Sequence, residues 1–217
     1  MFSSFRKVAS VTKDISQRSQ LIHDIHDYCI NPDTREIYLH GYLGESEEEA
    51  GVDYRMAVRF EKNLLFLNRA SDEPITVHMH TIGGAWHDGI GIFDTIKSSR
   101  CEITMIGYAE VSSMSSIIFQ AADKRLLMPN TSFMIHYGEI VIDSNSVSAK
   151  SAIDENERTN KLMVRIYTER CKSGERFKGY KDTRIKKFLD TKMRQKQEWY
   201  LSAEEAVAYG FADGIYE

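Results

Sequence analysis

The chain is poor in several features that mark specialised classes of protein. Its 217 residues include only three cysteines and three prolines, and positive charge is not in excess. The 28 Lys and Arg residues stand against 32 Asp and Glu, giving a formal net charge of −4. Nucleic-acid binders use a surplus of Lys and Arg to contact phosphates, so this balance argues against that class. We expect no nucleic-acid partner.

The cysteines and the hydrophobic runs exclude further classes. Cys29, Cys101 and Cys171 are odd in number and widely spaced, with no CxxC pair of the kind found in zinc or redox sites. No apolar stretch approaches the roughly 20 residues that span a bilayer, and residues 1–7 are not followed by the apolar region of a signal peptide. We therefore expect reduced thiols, a cytoplasmic location and no membrane association.

The remaining sequence is typical of one α/β domain. Residues 1–34 are polar and predict an N-terminal arm or a peripheral helix, whereas residues 35–217 carry the domain itself. Strand patterns alternate with helical patterns of about ten residues, which favours right-handed βαβ crossovers. The strands are predicted at 35–41, 75–80, 102–106, 125–128 and 132–136, and the helices between them at 88–98 and 113–122.

Two longer helices are also predicted. The acidic run 45–49 suits a helix start, where negative charge complements the helix dipole, and apolar residues from Met56 to Leu67 continue that pattern. A second helix covers 147–167. Its residues Leu162, Met163 and Ile166 form an apolar stripe that a lone subunit would expose, and such a stripe predicts an association surface.

One serine and one histidine carry the chemistry. A Ser hydroxyl is a weak nucleophile unless a base takes its proton, and His has the pKa for that work. Ser113 begins a predicted helix, and His136 ends a predicted strand. The turn Gly83-Gly84 follows the strand 75–80 and could offer backbone N–H groups to a developing oxyanion. Taken alone, Ser113 would be a helix cap and the Gly pair a tight turn.

A metal site is the rival interpretation. His78 and His80 share one face of a predicted strand, and His87 follows shortly. Imidazole is a common zinc ligand, but no Cys or carboxylate joins these residues at ligand spacing. We expect no metal and no cofactor.

Several segments, in this order, resemble the proteolytic subunit family of the Clp protease, in the ClpP/crotonase superfamily. The resemblance runs from about residue 35 to the C-terminus. The segments that carry it are Thr81-Ile82-Gly83-Gly84, Ser113-Met114, Met134-Ile135-His136, residues 200–206 and residues 209–213.

The resemblance implies an α/β fold of repeated ββα units with a protruding handle helix, here at 147–167. It implies a serine endopeptidase that works through an acyl-enzyme inside an oligomeric chamber of heptameric rings. In that reading Ser113 is the nucleophile, His136 is the base, and the backbone N–H groups of Gly83 and Met114 form the oxyanion hole. The substrates would be polypeptides, and an AAA+ unfoldase is a possible ATP-dependent partner.

The sequence departs from the family pattern at three places. Glu198 stands where the family carries the Asp that orients the catalytic His, and Asp190 and Asp182 in the Lys- and Arg-rich segment before it are alternatives. Residues 137–143 replace a Gly-rich stretch beside which substrate is thought to lie. The N-terminal arm does not match the loops that help to dock an unfoldase.

Two other functions stay open from the sequence. A crotonase-type acyl-CoA enzyme would share the fold and the oxyanion hole, but it would not need the Ser and His pair. A catalytically silent ring subunit with a structural or regulatory role would fit the departure at Glu198. The sequence also leaves open whether a peptidase would receive substrates from an unfoldase or cut one particular partner, as virus-encoded relatives do.

Overall fold

A computed structural model describes residues 15–41 and 51–217 of the chain. Within these ranges strands and helices alternate over most of the length. The elements are α1 (Ile15–Tyr28), β1 (Ile30–Asn31), β2 (Glu36–His40), α2 (Tyr54–Ala70), β3 (Ile75–Thr81), α3 (Trp86–Lys97), β4 (Ile103–Ser112), α4 (Met114–Phe119), β5 (Lys124–Leu127), β6 (Ser132–Ile135), α5 (Ser146–Cys171), a 3₁₀ turn (Glu175–Phe177), α6 (Asp182–Lys196), β7 (Trp199–Leu201), α7 (Ala203–Ala208) and β8 (Gly214–Ile215).

The strands form one mostly parallel sheet, in the order β1-β2-β3-β4-β5-β8. Strands β2, β3, β4, β5 and β8 run parallel, and β1 pairs antiparallel with β2 at the edge. The residues of β3 alternate in burial, as in a strand whose successive side chains point to opposite faces. Ile75, Val77 and Met79 are fully buried, and the residues between them are more exposed. The predicted α/β class with parallel crossovers is confirmed.

Strand β4 pairs with two different strands along its length, and this double pairing determines which residues meet at its end. Its first half pairs with β5, and Glu110 to Ser112 pair with β6. Between the halves Ala109 has a φ of 45°, and the register against β3 shifts between Met79 and Thr81. Such an irregularity bends a strand. The end of β4 therefore turns away from β5 and runs beside β6, so that the residues after both strands meet.

Helix α2 begins later than the acidic run suggested. Asp53 caps it, since its carboxylate accepts a hydrogen bond of 2.9 Å from the backbone N–H of Met56. Val52 just before the cap is not helical but forms a bridge with Gly84. The expectation that the helix continues without a break from 45–49 is therefore wrong. Residues 45–49 themselves lie outside the described part of the chain.

Helix α5 has the form expected of a handle. It spans 26 residues, or about 39 Å, and all of its buried residues lie from Thr159 onward. The predicted apolar stripe is not a free surface, because Met163 and Ile166 are 2% and 6% exposed and Leu162 packs against the core. That expectation was wrong, since the second half of the helix covers the core of its own chain.

A buried charge pair fixes the C-terminal segment beside β5. Arg125 is 2% exposed, and its guanidinium contacts both carboxylate oxygens of Asp213. It also donates to Gln120 and to the carbonyl groups of Gly210 and Phe211. Because its donors have partners, burial of this charge is compatible with a stable fold.

The N-terminal part is only partly described. Helix α1 lies within residues 1–34, and β1 joins the sheet edge just after it. Residues 1–14 lie outside the described ranges, and the division of the chain at residue 34 stays a prediction. None of the helices in the described ranges is both long and apolar enough to cross a membrane.

Candidate active site

Ser113 occupies the turn between β4 and α4. Its backbone has φ 54° and ψ −123°, a conformation that non-glycine residues rarely adopt. The turn is held because the N–H of Ser113 donates to the carbonyl oxygen of Met134 on β6, at 3.0 Å, and its own carbonyl accepts from the N–H of Ser116. Strain of this kind persists where the surroundings fix it, and it is frequent at functional sites.

His136 follows directly after β6 and faces this turn. Its Nε2 lies 2.7 Å from Ser113 Oγ, although 23 residues separate the two in sequence. If Ser113 donates its proton, Nε2 must be the unprotonated nitrogen, and Nδ1 then carries the hydrogen. This is the arrangement in which imidazole can accept the hydroxyl proton as a general base.

The neighbouring serines do not share this position. Ser112 is 1% exposed, and its hydroxyl donates to Glu110 at 2.7 Å. Ser115 and Ser116 are completely buried, and Ser116 bonds to the hydroxyl of Tyr167. Ser113 is the one serine of residues 112–116 that contacts His136 and lines the cleft. Hence the geometry selects Ser113 from a serine-rich run.

Gly83 lies directly against the Ser113 turn. Its φ is 98°, and a Cβ atom on it would come within 2.6 Å of Ser113 Cβ and 2.8 Å of the Met114 nitrogen. The carbonyl of Gly83 accepts from the N–H of Val52 at 2.6 Å, and the N–H of Gly83 donates to Thr81 Oγ1 at 3.4 Å. Met114 is the first residue of α4, where a backbone N–H has no partner inside the helix. Gly83 and the Met114 amide are thus neighbours.

We predict that Gly83→Ala lowers peptidase turnover by about a hundredfold or more, in the range lost with one oxyanion donor. The added methyl would push both the Ser113 turn and the Met114 amide away from residue 83. Gly179→Ala is the matched control, because Gly179 also has a positive φ, of 79°, but nothing lies within 4 Å of its would-be Cβ. Steady-state hydrolysis of a fluorogenic peptide compares the two. Equal losses would show that backbone strain, and not crowding of the turn, is responsible.

None of the three candidate acids has a described hydrogen bond to His136. The carboxylate of Glu198 accepts from the hydroxyl of Tyr200 at 3.2 Å. Asp190 bonds to Tyr137 and Arg194, and Asp182 forms an ion pair of 2.9 Å with Lys172. The structure thus brings Ser113 and His136 together, and none of these three carboxylates is hydrogen-bonded to the imidazole.

Strand pairing nevertheless distinguishes Glu198 from the two aspartates. In the antiparallel pair β6–β7, Ile135 is opposite Trp199. Continuing this register by one residue aligns His136 with Glu198. Opposite residues of an antiparallel pair lie on the same face of the sheet, with Cβ atoms about 5 Å apart. Rotation of the Glu198 side chain away from Tyr200 is therefore the change that would bring its carboxylate to the imidazole.

A cleft of about 520 Å³ opens over Ser113 and His136. Its apolar lining includes Trp86, Ile117 and Met163, and its polar lining includes Asn156 and Asn160 on α5. Asn160 also accepts a hydrogen bond of 3.0 Å from the N–H of Gly138. The sequence analysis missed these lining residues, although Asn156, Asn160 and Met163 follow one another on α5 at spacings of four and three, which is typical of one helix face.

The positions of the histidines contradict the interpretation of a metal site. His78 stacks on Tyr38 and bonds to the hydroxyl of Tyr108 at 2.8 Å, whereas His87 lines the cleft beside Ser113. Across residues 15–41 and 51–217, no group of three or more His, Cys, Asp or Glu side chains is placed to hold a metal ion. The three histidines do not form a common site.

The comparison with known families agrees with this arrangement. The model of the Clp protease family matches residues 48–217. The chain belongs to the Clp protease family. As a member it is a serine-type endopeptidase, and the pair Ser113 and His136 fits that chemistry. The crotonase-type acyl-CoA alternative has no such support.

Curated relatives carry the same family name. The chain is 32% identical over 167 residues to "ATP-dependent Clp protease proteolytic subunit 2" of Pseudomonas aeruginosa, covering 76% of this chain and 77% of the relative. It is 29% identical over 188 residues to subunit 3 of Rhizobium etli, covering 84% of each. A proteolytic subunit of Paracoccus denitrificans is 32% identical over 158 residues, covering 72% of this chain and 73% of the relative.

Proposed function

We propose that this chain is the proteolytic subunit of an ATP-dependent Clp-type protease, with Ser113 as nucleophile and His136 as general base. The observation that carries the proposal is the 2.7 Å contact between Ser113 Oγ and His136 Nε2 at the base of an open cleft. Serine peptidases need this pair within hydrogen-bond reach. The names of the relatives supply the ATP-dependent context.

The reaction runs in two halves. Ser113 Oγ adds to the carbonyl carbon of the peptide while His136 Nε2 takes the hydroxyl proton, and the carbonyl oxygen becomes an oxyanion. The N–H groups of Gly83 and Met114 stabilise that charge. His136 then gives the proton to the leaving amine, which leaves an acyl-enzyme on Ser113. A water molecule, deprotonated by His136, releases the acid and restores the serine. Glu198 orients His136 in the required tautomer.

The substrate polypeptide is proposed to lie along residues 137–143. These residues form no helix or strand, and Val141 is 99% exposed. Apart from the N–H of Gly138, which donates to Asn160, the backbone N–H and C=O groups of this segment have no described hydrogen bond and are available for pairing with an extended peptide. The apolar cleft lining then receives side chains on either side of the bond that is cut.

A serine-directed fluorophosphonate tests the assignment of the nucleophile. We expect a single covalent adduct on Ser113, because only an activated hydroxyl reacts quickly with this electrophile. Peptide mapping by mass spectrometry locates the adduct. An adduct on Ser112 or Ser115, or none on folded protein, would contradict the proposal.

The subunit is further proposed to assemble into heptameric rings that enclose the cleft. The first half of α5 projects from the core and exposes apolar side chains, with Val147 75% and Ile153 46% exposed. Exposed apolar residues on a projecting helix favour association. Native mass spectrometry at micromolar concentration should give a species near seven or fourteen times the 25.0 kDa chain mass. A stable monomer would contradict the ring.

We also propose a cytoplasmic location and delivery of substrates by an AAA+ unfoldase. All three cysteines are free thiols, which fits a reducing compartment. The unfoldase is supported only by the relatives, whose names include ATP dependence. Degradation of a folded substrate that needs ATP and a co-purified ATPase would test the partnership.

A further inference from the structure

Cys29 differs from the other two cysteines in what surrounds its sulfur. It lies between α1 and β1, and its Sγ is 3.4 Å from Nη1 of Arg59 and 3.9 Å from Nε2 of His40. Cys101 contacts the carbonyl oxygen of Ser71, and Cys171 is completely buried in the hydrophobic core. Cys29 is thus the cysteine that has both a base and a guanidinium beside it.

The imidazole of His40 is oriented toward the sulfur. Its Nδ1 lies 2.8 Å from the carbonyl oxygen of Gly41, so Nδ1 must be the donor in this contact. Nε2 is then directed at Cys29. A nucleophile, a base beside it and a third group that orients the base form the arrangement that activates nucleophiles in enzymes.

Charge at this cluster favours the thiolate. Burial alone raises the pKa of Cys29, but the hydrogen bonds and charges of His40 and Arg59 outweigh it, so the pKa lies below its usual value. The hydrogen bond to Cys29 raises the pKa of His40 in turn. Tyr38 and Arg55 are the other titratable groups that line the same cleft. By contrast, burial raises the pKa of Cys171 far above the range of a reactive thiol.

A narrow cleft lies at the cluster. Its lining includes Cys29, which is 4% exposed, and Arg55, whose side chain is 58% exposed. Its free volume of about 10 Å³ is close to the space that one water molecule needs. The cleft therefore restricts the reagents that can reach the sulfur to very small polar molecules.

We propose that Cys29 is a modification site at which hydrogen peroxide oxidises the thiolate to sulfenic acid. The sulfur attacks the terminal oxygen, so that an S–O bond forms and the O–O bond breaks. Sulfur is oxidised by two electrons, and the peroxide is reduced. The imidazolium of His40 gives its proton to the departing hydroxide, which leaves as water. The products are Cys29 sulfenic acid, neutral His40 and water. This site is independent of the peptidase chemistry at Ser113.

Hydrogen peroxide and dimedone test the proposal on the full chain. After brief exposure of the folded chain to peroxide and removal of the peroxide with catalase, the chain is unfolded in dimedone, so that this larger reagent need not pass the cleft. Dimedone should label Cys29 and leave Cys101 and Cys171 unmodified, as mapped by mass spectrometry. Removal of either partner should slow labelling at pH 7 about tenfold, since each favours the thiolate. The variants for this are His40→Gln and Arg59→Gln, and Arg59→Lys should recover part of the rate because it keeps the charge. Ser113→Ala should be labelled at the rate of the unmodified chain.

Cys171 reports on folding during the peroxide step, because its completely buried thiol is accessible to peroxide only if the chain unfolds. No adduct on Cys29 while Cys171 stays unlabelled would overturn the proposal. Equal labelling of Cys29 and Cys101 in folded protein would also overturn it, as would unchanged rates in both the His40→Gln and the Arg59→Gln variants.

Discussion

Ser113→Ala should abolish peptide hydrolysis, with a loss of turnover of roughly 10⁶, the effect of removing the nucleophile from a comparable triad. The alanine removes the atom that forms the acyl-enzyme. Folding should survive, because the hydroxyl's described contact is with His136 alone, and the turn is held by backbone bonds to Met134 and Ser116. Hydrolysis of a short fluorogenic peptide measures the loss.

Ser115→Ala is the matched control for this variant. It makes the same chemical change two residues away, at a hydroxyl that is completely buried and has no described hydrogen-bond partner. We expect nearly normal turnover and an unchanged thermal midpoint. If Ser115→Ala lost as much activity as Ser113→Ala, the effect would be structural, and the assignment of the nucleophile would not stand.

Glu198→Gln should lower turnover by about 10⁴, the loss seen when a triad acid becomes an amide and the histidine takes the wrong tautomer. The amide keeps the volume of the side chain, so the β6–β7 pairing should be retained. In our proposal Glu198 exchanges its bond with Tyr200 for one with His136 when substrate is bound. Tyr200→Phe removes the competing hydroxyl and should therefore leave activity normal or raise it.

The two aspartates provide the comparison for Glu198. Asp182→Asn removes a carboxylate that pairs with Lys172 and should change turnover little. Asp190→Asn alters the partner of Tyr137, the residue next to His136, and should have an intermediate effect. Normal turnover in Glu198→Gln together with a collapse in Asp190→Asn would assign the third member of the triad to Asp190.

Local patterns predicted much of the fold. Alternation in residues 75–80 gave a strand that the structure places at Ile75–Thr81, and the helical spacing of 147–167 gave a helix that extends over Ser146–Cys171. These patterns are reliable because one buried face is enough to specify each element. The charge run at 45–49 predicted too early a start for α2, which the structure begins at Tyr54 after the cap at Asp53.

By itself, the sequence determined the α/β class, the family and two candidate residues for the chemistry, since periodicity and short motifs are properties of neighbouring residues. The tertiary structure decided the rest. The bend in β4 at Ala109 and its pairing with β6 bring Ser113 Oγ to His136 Nε2. Burial in the folded chain separates Ser113 from Ser112 and Ser115, and the fold places Arg59 and His40 beside Cys29. Each of these contacts joins distant segments, and only packing brings such segments together.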